Sequence, residues 1–352
     1  MVDMLMLLVG EAMAPLLTRL YYNSGGNSLW MVTLAQSAGA PLLVIPFLLT
    51  PRAAAVGEPR PAPAASKMVA ICVALGLVVG CDNLMYSYAM LYLPVSTFSL
   101  LAATQLAFNA VTSRLINAQR FTPLVVNSVV VLTFSAALLG VDDPSSSSSV
   151  GGGAGGDAVQ RGKHAAGVVL TLSASAVYAL ILSLFEATFD KVIGAATPRW
   201  VLKMQISTNA VAATVSATAL FASGEWRTIG GEMAAFKGGK AAYAATVVGV
   251  AVGWQAATLG AVRLIARVSS LFANVTGTLA LPMVPVLAVA LFGDKMTGTK
   301  VLAMLMAVWG FLSYVYQHYL DGRRAAAREG RVTGALKIQI PSPFQLFKLI
   351  SA

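Results

Sequence analysis

Three carboxylates lie inside strongly apolar stretches of the chain: Glu11, Asp82 and Glu186. Asp82 interrupts the run VGCDNLMYSYAMLYLPVSTFSLL at residues 79–101, which is otherwise nearly all apolar or aromatic. A carboxylate at bilayer depth is costly, and burial favours its neutral form, so it can exchange a proton near neutral pH. We therefore predict that these three residues take part in proton coupling. The alternative for each is a structural hydrogen bond or a side chain that reaches the membrane surface.

Amide and aromatic side chains occur in the same apolar surroundings. Gln105 and Asn109 are four residues apart, as are Asp82 and Tyr86, so each pair shares a helix face. A flat heteroaromatic ligand needs aromatic stacking faces and paired hydrogen-bond donors and acceptors, which such residues supply. The alternatives are hydrogen bonds between helices for the amides and interface positions for the tryptophans. The candidate ligand-binding residues are Trp30, Asn83, Tyr86, Gln105, Asn109, Trp254 and Gln255.

Two further polar stripes have the same helical spacing, and apart from Glu186 their residues are not assigned to the site. One is formed by Ser175, Tyr178, Leu182 and Glu186. The other is formed by Gln205 and Asn209.

Membrane-spanning helices must position these residues. The chain has 352 residues, of which 57% are hydrophobic and 11% charged, whereas a soluble domain has about a quarter charged residues. Its apolar runs are each about 20 residues long, the length of a helix that crosses a bilayer. We predict an all-α integral membrane protein with ten transmembrane helices, near residues 4–21, 29–50, 68–92, 95–118, 123–141, 166–189, 200–222, 241–263, 268–292 and 297–320.

The net charge of +10 does not indicate a nucleic-acid partner. The basic residues lie at the ends of the apolar runs and in the tail, where cytoplasmic anchors of membrane proteins lie. Most of them fall on the side of the membrane that holds both termini, which we predict to be the cytoplasm. The surrounding partner is then membrane lipid.

The two halves of the chain resemble each other. Gly76-x-x-x-Gly80 recurs as Gly249-x-x-x-Gly253, and each pair is followed two residues later by a polar residue, Asp82 or Gln255. Because each half has five spans, the second half enters the membrane upside down, which is the inverted repeat of many transporters. Since small-x-x-x-small pairs let helices approach closely, we expect close packing of the third and eighth helices.

The predicted organisation follows from these repeats and from composition. Residues 1–141 form the first five-helix repeat, and residues 166–321 form the second. The Ser/Gly-rich segment 142–165 is predicted to be a loop, because its composition cannot build a core. Residues 322–352 are predicted to be a basic cytoplasmic tail.

An enzyme is disfavoured by the sequence. Its two histidines, His164 and His318, are not spaced with cysteine or carboxylate residues as metal ligands are, so we predict no metal and no cofactor. A channel or receptor is disfavoured as well, since no filter-like loop and no extramembrane ligand-binding domain is evident.

Several stretches resemble the plant purine permeases of the drug/metabolite transporter superfamily. They are PLLTRLYYNSGG at 15–26, CDNLMYSYAMLYLPVSTFSLL at 81–101, ATQLAFNAVTSRLINAQRFTP at 103–123, FASGEW at 221–226, and the long run from Val268 to Asp321. The resemblance implies ten helices in an inverted five-plus-five repeat. It also implies proton-coupled uptake of purine bases and derivatives, including adenine, cytokinins, nucleosides or alkaloids, by alternating access.

Residues that match family positions are Asp82, Asn83, Gln105, Asn109, Glu186, Trp254 and Gln255. Four positions depart from the pattern that the resemblance implies: Glu11, Arg114, Lys203 and Arg263. We expect a multi-pass protein of the plasma membrane, with an endomembrane as the alternative. The alternative substrate is another small metabolite of the superfamily, such as a sugar conjugate.

Overall fold

The computed structural model of the protein describes residues 1–50, 64–118, 154–194, 197–280, 283–293 and 296–333, with scattered positions between 123 and 135. Most of the predicted fifth span, residues 51–63, half of the predicted loop at 142–165 and the end of the tail lie outside these residues. The described residues form helices and turns, without a β-strand among them.

Thirteen α-helices are numbered in chain order within the described residues. Short 3-10 helices at Ala40–Leu43 and Glu225–Arg227 and a π-helix at Thr188–Ile193 accompany them. The α-helices are α1 (Val2–Asn23), α2 (Leu29–Ala38), α3 (Val44–Leu49), α4 (Ala65–Tyr92), α5 (Val95–Ala102), α6 (Gln105–Ile116), α7 (Ala154–Ala187), α8 (Pro198–Ala222), α9 (Ile229–Ala235), α10 (Gly239–Arg267), α11 (Ser270–Thr278), α12 (Met283–Phe292) and α13 (Gly298–Thr333).

Six helical segments of the described residues are long and apolar enough to cross a membrane. They are Val2–Asn23, Leu29–Leu49, Ala65–Tyr92, Gly162–Ile193, Gly239–Arg267 and Ser270–Phe292. The chain is therefore an all-helical integral membrane protein that crosses the bilayer several times.

Three predicted spans are interrupted in the structure. The span at 29–50 changes to a 3-10 helix at Ala40, where Pro41 follows at once. The span at 95–118 divides into α5 and α6 at Ala103 and Thr104, where the Thr104 hydroxyl donates to the carbonyl of Leu101 at 2.7 Å. The span at 268–292 divides into α11 and α12. Uniform hydropathy does not reveal such breaks, because side-chain hydroxyls and neighbouring helices satisfy the freed backbone groups.

Two helices are longer than their apolar runs. The helix α7 begins at Ala154, inside the segment predicted as a loop, and α13 continues to Thr333, inside the predicted tail. Alanine and arginine are frequent in the added turns, and both residues favour helix even without an apolar face.

The most extensive helix–helix contact among the described residues is that of α1 with α10. A Cβ added to Gly10 would lie 2.5 Å from the backbone nitrogen of Ala257, and one on Gly260 would lie 2.6 Å from the carbonyl oxygen of Asp3. Asp3 also binds Arg263 at 2.8 Å and Arg267 at 2.9 Å. Arg263, one of the four departures from the family pattern, therefore anchors the end of α10 to the start of α1.

The glycine pairs make close contacts, but their partners differ from each other. Gly76 on α4 lies against Thr208 and Val211 of α8, whereas Gly253 on α10 lies against Ala14 of α1. The expected mutual packing of the third and eighth helices through these glycines is thus replaced by two separate contacts. A small-residue pair shows that a backbone can be approached closely, but it does not show which helix approaches.

Candidate functional site

A cavity lies among five helices, α2, α4, α7, α8 and α10. Its volume is about 60 Å3, several times what one water molecule requires. Its lining combines aromatic rings, amides and one carboxyl group with an apolar wall. The lining residues are Gln36, Val79, Asp82, Asn83, Tyr86, Tyr178, Ile181, Leu182, Phe185, Gln205, Thr208, Asn209, Trp254, Thr258, Ala261 and Val262.

The amides around the cavity are held in fixed orientations. Gln36 donates to the hydroxyl of Ser87 at 2.8 Å, and Asn83 donates to the hydroxyl of Ser37 at 2.8 Å. Across the cavity, Gln205 donates to the hydroxyl of Thr258 at 2.7 Å. Because each bond uses the amide nitrogen, the carbonyl oxygens are left to accept from other groups.

Three polar atoms of the lining have no hydrogen-bond partner among the residues that the structure describes. They are the hydroxyl of Tyr86, Oδ1 of Asp82, an acceptor when the group is ionised, and Nε1 of Trp254, which is always a donor. Buried polar atoms are nearly always paired. An unpaired acceptor and an unpaired donor in one cavity therefore indicate the place of a ligand or of water that a ligand displaces.

A second carboxyl group lies close to Asp82. Glu11 of α1 is buried and accepts from the hydroxyl of Tyr178 at 3.5 Å, and it interacts electrostatically with Asp82. Tyr86 packs edge-on against Phe98 at 5.5 Å and interacts electrostatically with both carboxyl groups. Two carboxyl groups that interact in a low-dielectric site repel each other when both are ionised.

Glu186 lies in a different polar network. One of its oxygens accepts from Asn117 at 2.8 Å and from the backbone and hydroxyl groups of Ser270 at the start of α11. Asn109 belongs to this network, since its carbonyl oxygen accepts from Ser113 and Ser183 at 3.2 Å and 3.1 Å. The hydroxyls of Ser113 and Ser270 lie 3.0 Å apart and so link Asn109 to Glu186. Neither of these two residues is on the cavity lining.

Three further predicted residues also lie away from the lining. Gln105 is buried on α6, where its backbone carbonyl accepts from Asn274 at 3.0 Å. Trp30 lies in the first turn of α2, and its backbone N–H donates to Glu225 at 3.3 Å. Gln255 is buried behind the wall, against Gly39. Of the ten predicted site residues, Asp82, Asn83, Tyr86 and Trp254 line the cavity, and Glu11 lies beside them.

Several lining residues were not among the predicted site residues. Tyr178, Gln205 and Asn209 belong to the two polar stripes, and their helical spacing was the signal that could have included them. Gln36 and Thr258 were not singled out, although Thr33 lies three residues before Gln36 and Gln255 lies three residues before Thr258.

The comparisons with known proteins agree on one family. A model of the family described as purine nucleobase transmembrane transport matches residues 1–324. The chain is 48% identical to a probable purine permease 11 of Arabidopsis thaliana, over 94% of this chain and 86% of that one. It is 43% identical to a probable purine permease 13 of the same plant, over 94% of this chain and 89% of that one.

The fold has a counterpart among solved structures. One crystal structure matches with a TM-score of 0.53 at 15% identity, covering 88% of this chain and 97% of the other. The relatives at 43–48% identity are named as permeases and not as enzymes. The chain belongs to the purine permease family of membrane transporters.

Proposed function

We propose that the protein is a secondary-active, proton-coupled transporter that moves purine bases and their derivatives by alternating access. The observation that carries the proposal is the cavity with an unpaired acceptor on Asp82 and an unpaired donor on Trp254. A purine presents ring nitrogens that accept and an N–H that donates, so one ligand can meet both atoms.

The remainder of the lining suits the same ligand. Tyr178, Phe185 and Trp254 offer faces for a flat ring, while Gln205 and Asn209 offer amides at its edge. Val79, Ile181 and Leu182 form an apolar wall that can receive a hydrophobic substituent, such as the side chain of a cytokinin. None of the lining residues is basic, so a phosphorylated ligand would lack a counter-charge.

We further propose the inverted repeat, with residues 1–141 and 166–321 as its two five-helix units. The helix contacts support it. The first span packs on the eighth (α1 on α10) and the third on the sixth (α4 on α7). The third also packs on the seventh (α4 on α8) and the second on the eighth (α2 on α10). The repeat relates the first span to the sixth, the second to the seventh and the third to the eighth. It therefore converts the contact of spans 1 and 8 into that of spans 6 and 3, and the contact of spans 3 and 7 into that of spans 8 and 2.

The broken helices provide a second argument. The predicted fourth and ninth spans occupy equivalent places in the two repeats, and each is divided in the structure. Discontinuous helices at corresponding positions are typical of transporters built from inverted repeats. Glu11 lies beside the second break, since a Cβ added to Gly277 of α11 would be 3.8 Å from its carboxyl oxygen.

Proton coupling is assigned to Asp82, with Glu11 as its neighbour. Asp82 is 3% exposed and lines the cavity, so its ionisation state is linked to whatever occupies that space. Glu186 stays a further candidate for coupling, although its bonds to Asn117 and Ser270 also give it a structural role.

The plasma membrane is the proposed location, with the basic segment that follows the last span in the cytoplasm. Uptake of labelled adenine by yeast that lacks its own purine transport tests the function. Trp254→Phe should weaken uptake, because it removes the unpaired donor while keeping a ring. Trp309→Phe is the matched control, because Trp309 is exposed on α13.

The competition pattern decides between ligands. Unlabelled adenine and cytokinins should compete with the label, whereas a sugar conjugate should not. Competition by the sugar conjugate alone, or equal uptake with both tryptophan variants, would contradict the proposal.

A further inference from the structure

Gln255 is a buried amide without a partner. It is 3% exposed on α10, and neither its Nε2 nor its Oε1 makes a hydrogen bond within the described part of the chain. Turning the amide over exchanges the two atoms, so it does not change this result. Trp254 and Thr258, one before and three after it in the same helix, line the cavity. Gln255 therefore lies next to the lining without belonging to it.

The place that Gln255 occupies is a packing contact. A Cβ added to Gly39 would lie 2.8 Å from the Cβ of Gln255, at the point where α2 ends. An apolar side chain of the same size would fill this place without leaving an amide unpaired in a low-dielectric interior. The packing seen here therefore gives no reason for the amide.

The repeat relates Gln255 to Asp82. Each follows the second glycine of a Gly-x-x-x-Gly pair by two residues, on the third and the eighth span. Their surroundings nevertheless differ, because Asp82 faces the cavity and Gln255 does not. In a transporter built from inverted repeats, the two end states are related when the repeats exchange their conformations. If a residue of one repeat faces the cavity in one state, its partner in the other repeat then faces the cavity in the other state.

We propose that Gln255 binds the transported molecule in the opposite state, where it takes the place at the cavity that Asp82 has in this one. This inference rests on the proposed transport function. A carboxamide offers one donor and one acceptor side by side, which complements the N–H and ring nitrogen of a purine edge. In that state the ligand pairs the amide, and the contact with Gly39 opens.

Thiol labelling tests the change of surroundings without a substrate. Gln255→Cys and Asn83→Cys are each placed in a chain that carries Cys72→Ser and Cys81→Ser, reconstituted in vesicles. A small methanethiosulfonate reagent is applied while the pH gradient is imposed in one direction and then reversed. The two introduced thiols should change their reaction rates in opposite senses. Rates that rise and fall together, or a thiol at 255 that is unreactive under both gradients, would overturn the proposal.

The adenine concentration for half-maximal transport, measured from each side of the membrane, tests whether Gln255 binds the ligand. Gln255→Met should raise the adenine concentration for half-maximal transport about three- to tenfold at one face only, since one hydrogen bond is lost there. Asn83→Leu should raise it at the other face. Thr18→Val is the control, because Thr18 is also buried with an unpaired hydroxyl but lies outside the lining.

The outcomes separate the two proposals. A Gln255→Met effect at both faces or at neither would refute the role of Gln255. Absence of adenine transport by the unaltered protein would refute the proposed function. The labelling result would still show whether residues 83 and 255 exchange their surroundings, because it needs no substrate.

Discussion

The two glycines of one motif should respond differently to the same substitution. A Cβ on Gly76 would lie 2.5 Å from the Cβ of Val211 and 2.7 Å from the carbonyl oxygen of Thr208. A Cβ on Gly80, one turn further along α4, would lie 3.6 Å from the nearest atom of Ala212, which is an ordinary contact. Gly76→Ala must therefore push α4 away from α8, whereas Gly80→Ala fits.

The size of the difference follows from these distances. The contacts at Gly76 are about 1 Å too short and involve the backbone, so overpacking should cost about 1–3 kcal/mol. Alanine regains at most about 1 kcal/mol of helix propensity at either position. We therefore expect Gly76→Ala to be about 2 kcal/mol less stable than Gly80→Ala, which is a difference of several degrees in unfolding temperature.

Thermal unfolding of the detergent-solubilised protein measures this difference. Adenine uptake should fall with Gly76→Ala, because Thr208 and Asn209 of α8 line the cavity. Equal unfolding temperatures for the two variants, or a greater loss with Gly80→Ala, would show that α4 and α8 are not packed as described.

Two further predictions concern the cavity and the α1–α10 contact. Gln205→Leu removes the bond to Thr258 and one cavity amide, so it should raise the adenine concentration for half-maximal transport about three- to tenfold. Thr214→Val should leave this concentration unchanged, because the Thr214 hydroxyl bonds only its own helix. Asp3→Asn weakens both arginine contacts and should destabilise the protein by about 1–2 kcal/mol, since both guanidinium groups reach solvent. The exposed Asp190→Asn is its control, and equal unfolding temperatures for these two variants would contradict the anchoring role of Asp3.

The sequence predicts the helical membrane character well, because the apolar runs match the bilayer thickness. It also indicates part of the site, since a carboxyl inside an apolar run draws attention to Asp82 and its neighbours. Gln36 and Thr258 could not be found in this way. In a membrane helix the lipid face and the packed face are both apolar, so periodicity does not show which face meets a cavity.

Three of the predicted site residues that lie away from the lining share one feature. Glu186, Gln105 and Asn109 are buried polar residues, and the sequence does not distinguish a ligand contact from a bond between helices. In the structure Asn109 accepts from the hydroxyl of Ser183 on another helix, and the part of these residues in transport stays a prediction. The breaks within the spans at 95–118 and 268–292 are likewise not visible in the sequence, because both spans are apolar on each side of the break.

The central claim is that Asp82, at the cavity, couples purine movement to protons. The direct test is adenine accumulation in proteoliposomes under a pH gradient, acid outside, compared with adenine exchange in preloaded vesicles. A gradient of two pH units stores about 2.7 kcal/mol per proton, which supports up to about 100-fold accumulation with one proton per substrate.

Asp82→Asn keeps the volume and the neutral form of the side chain but cannot take up or release the proton. The unaltered protein should accumulate adenine above the outside concentration. Asp82→Asn should only equilibrate adenine and still exchange it in preloaded vesicles. Accumulation by Asp82→Asn that matches the unaltered protein would contradict the claim.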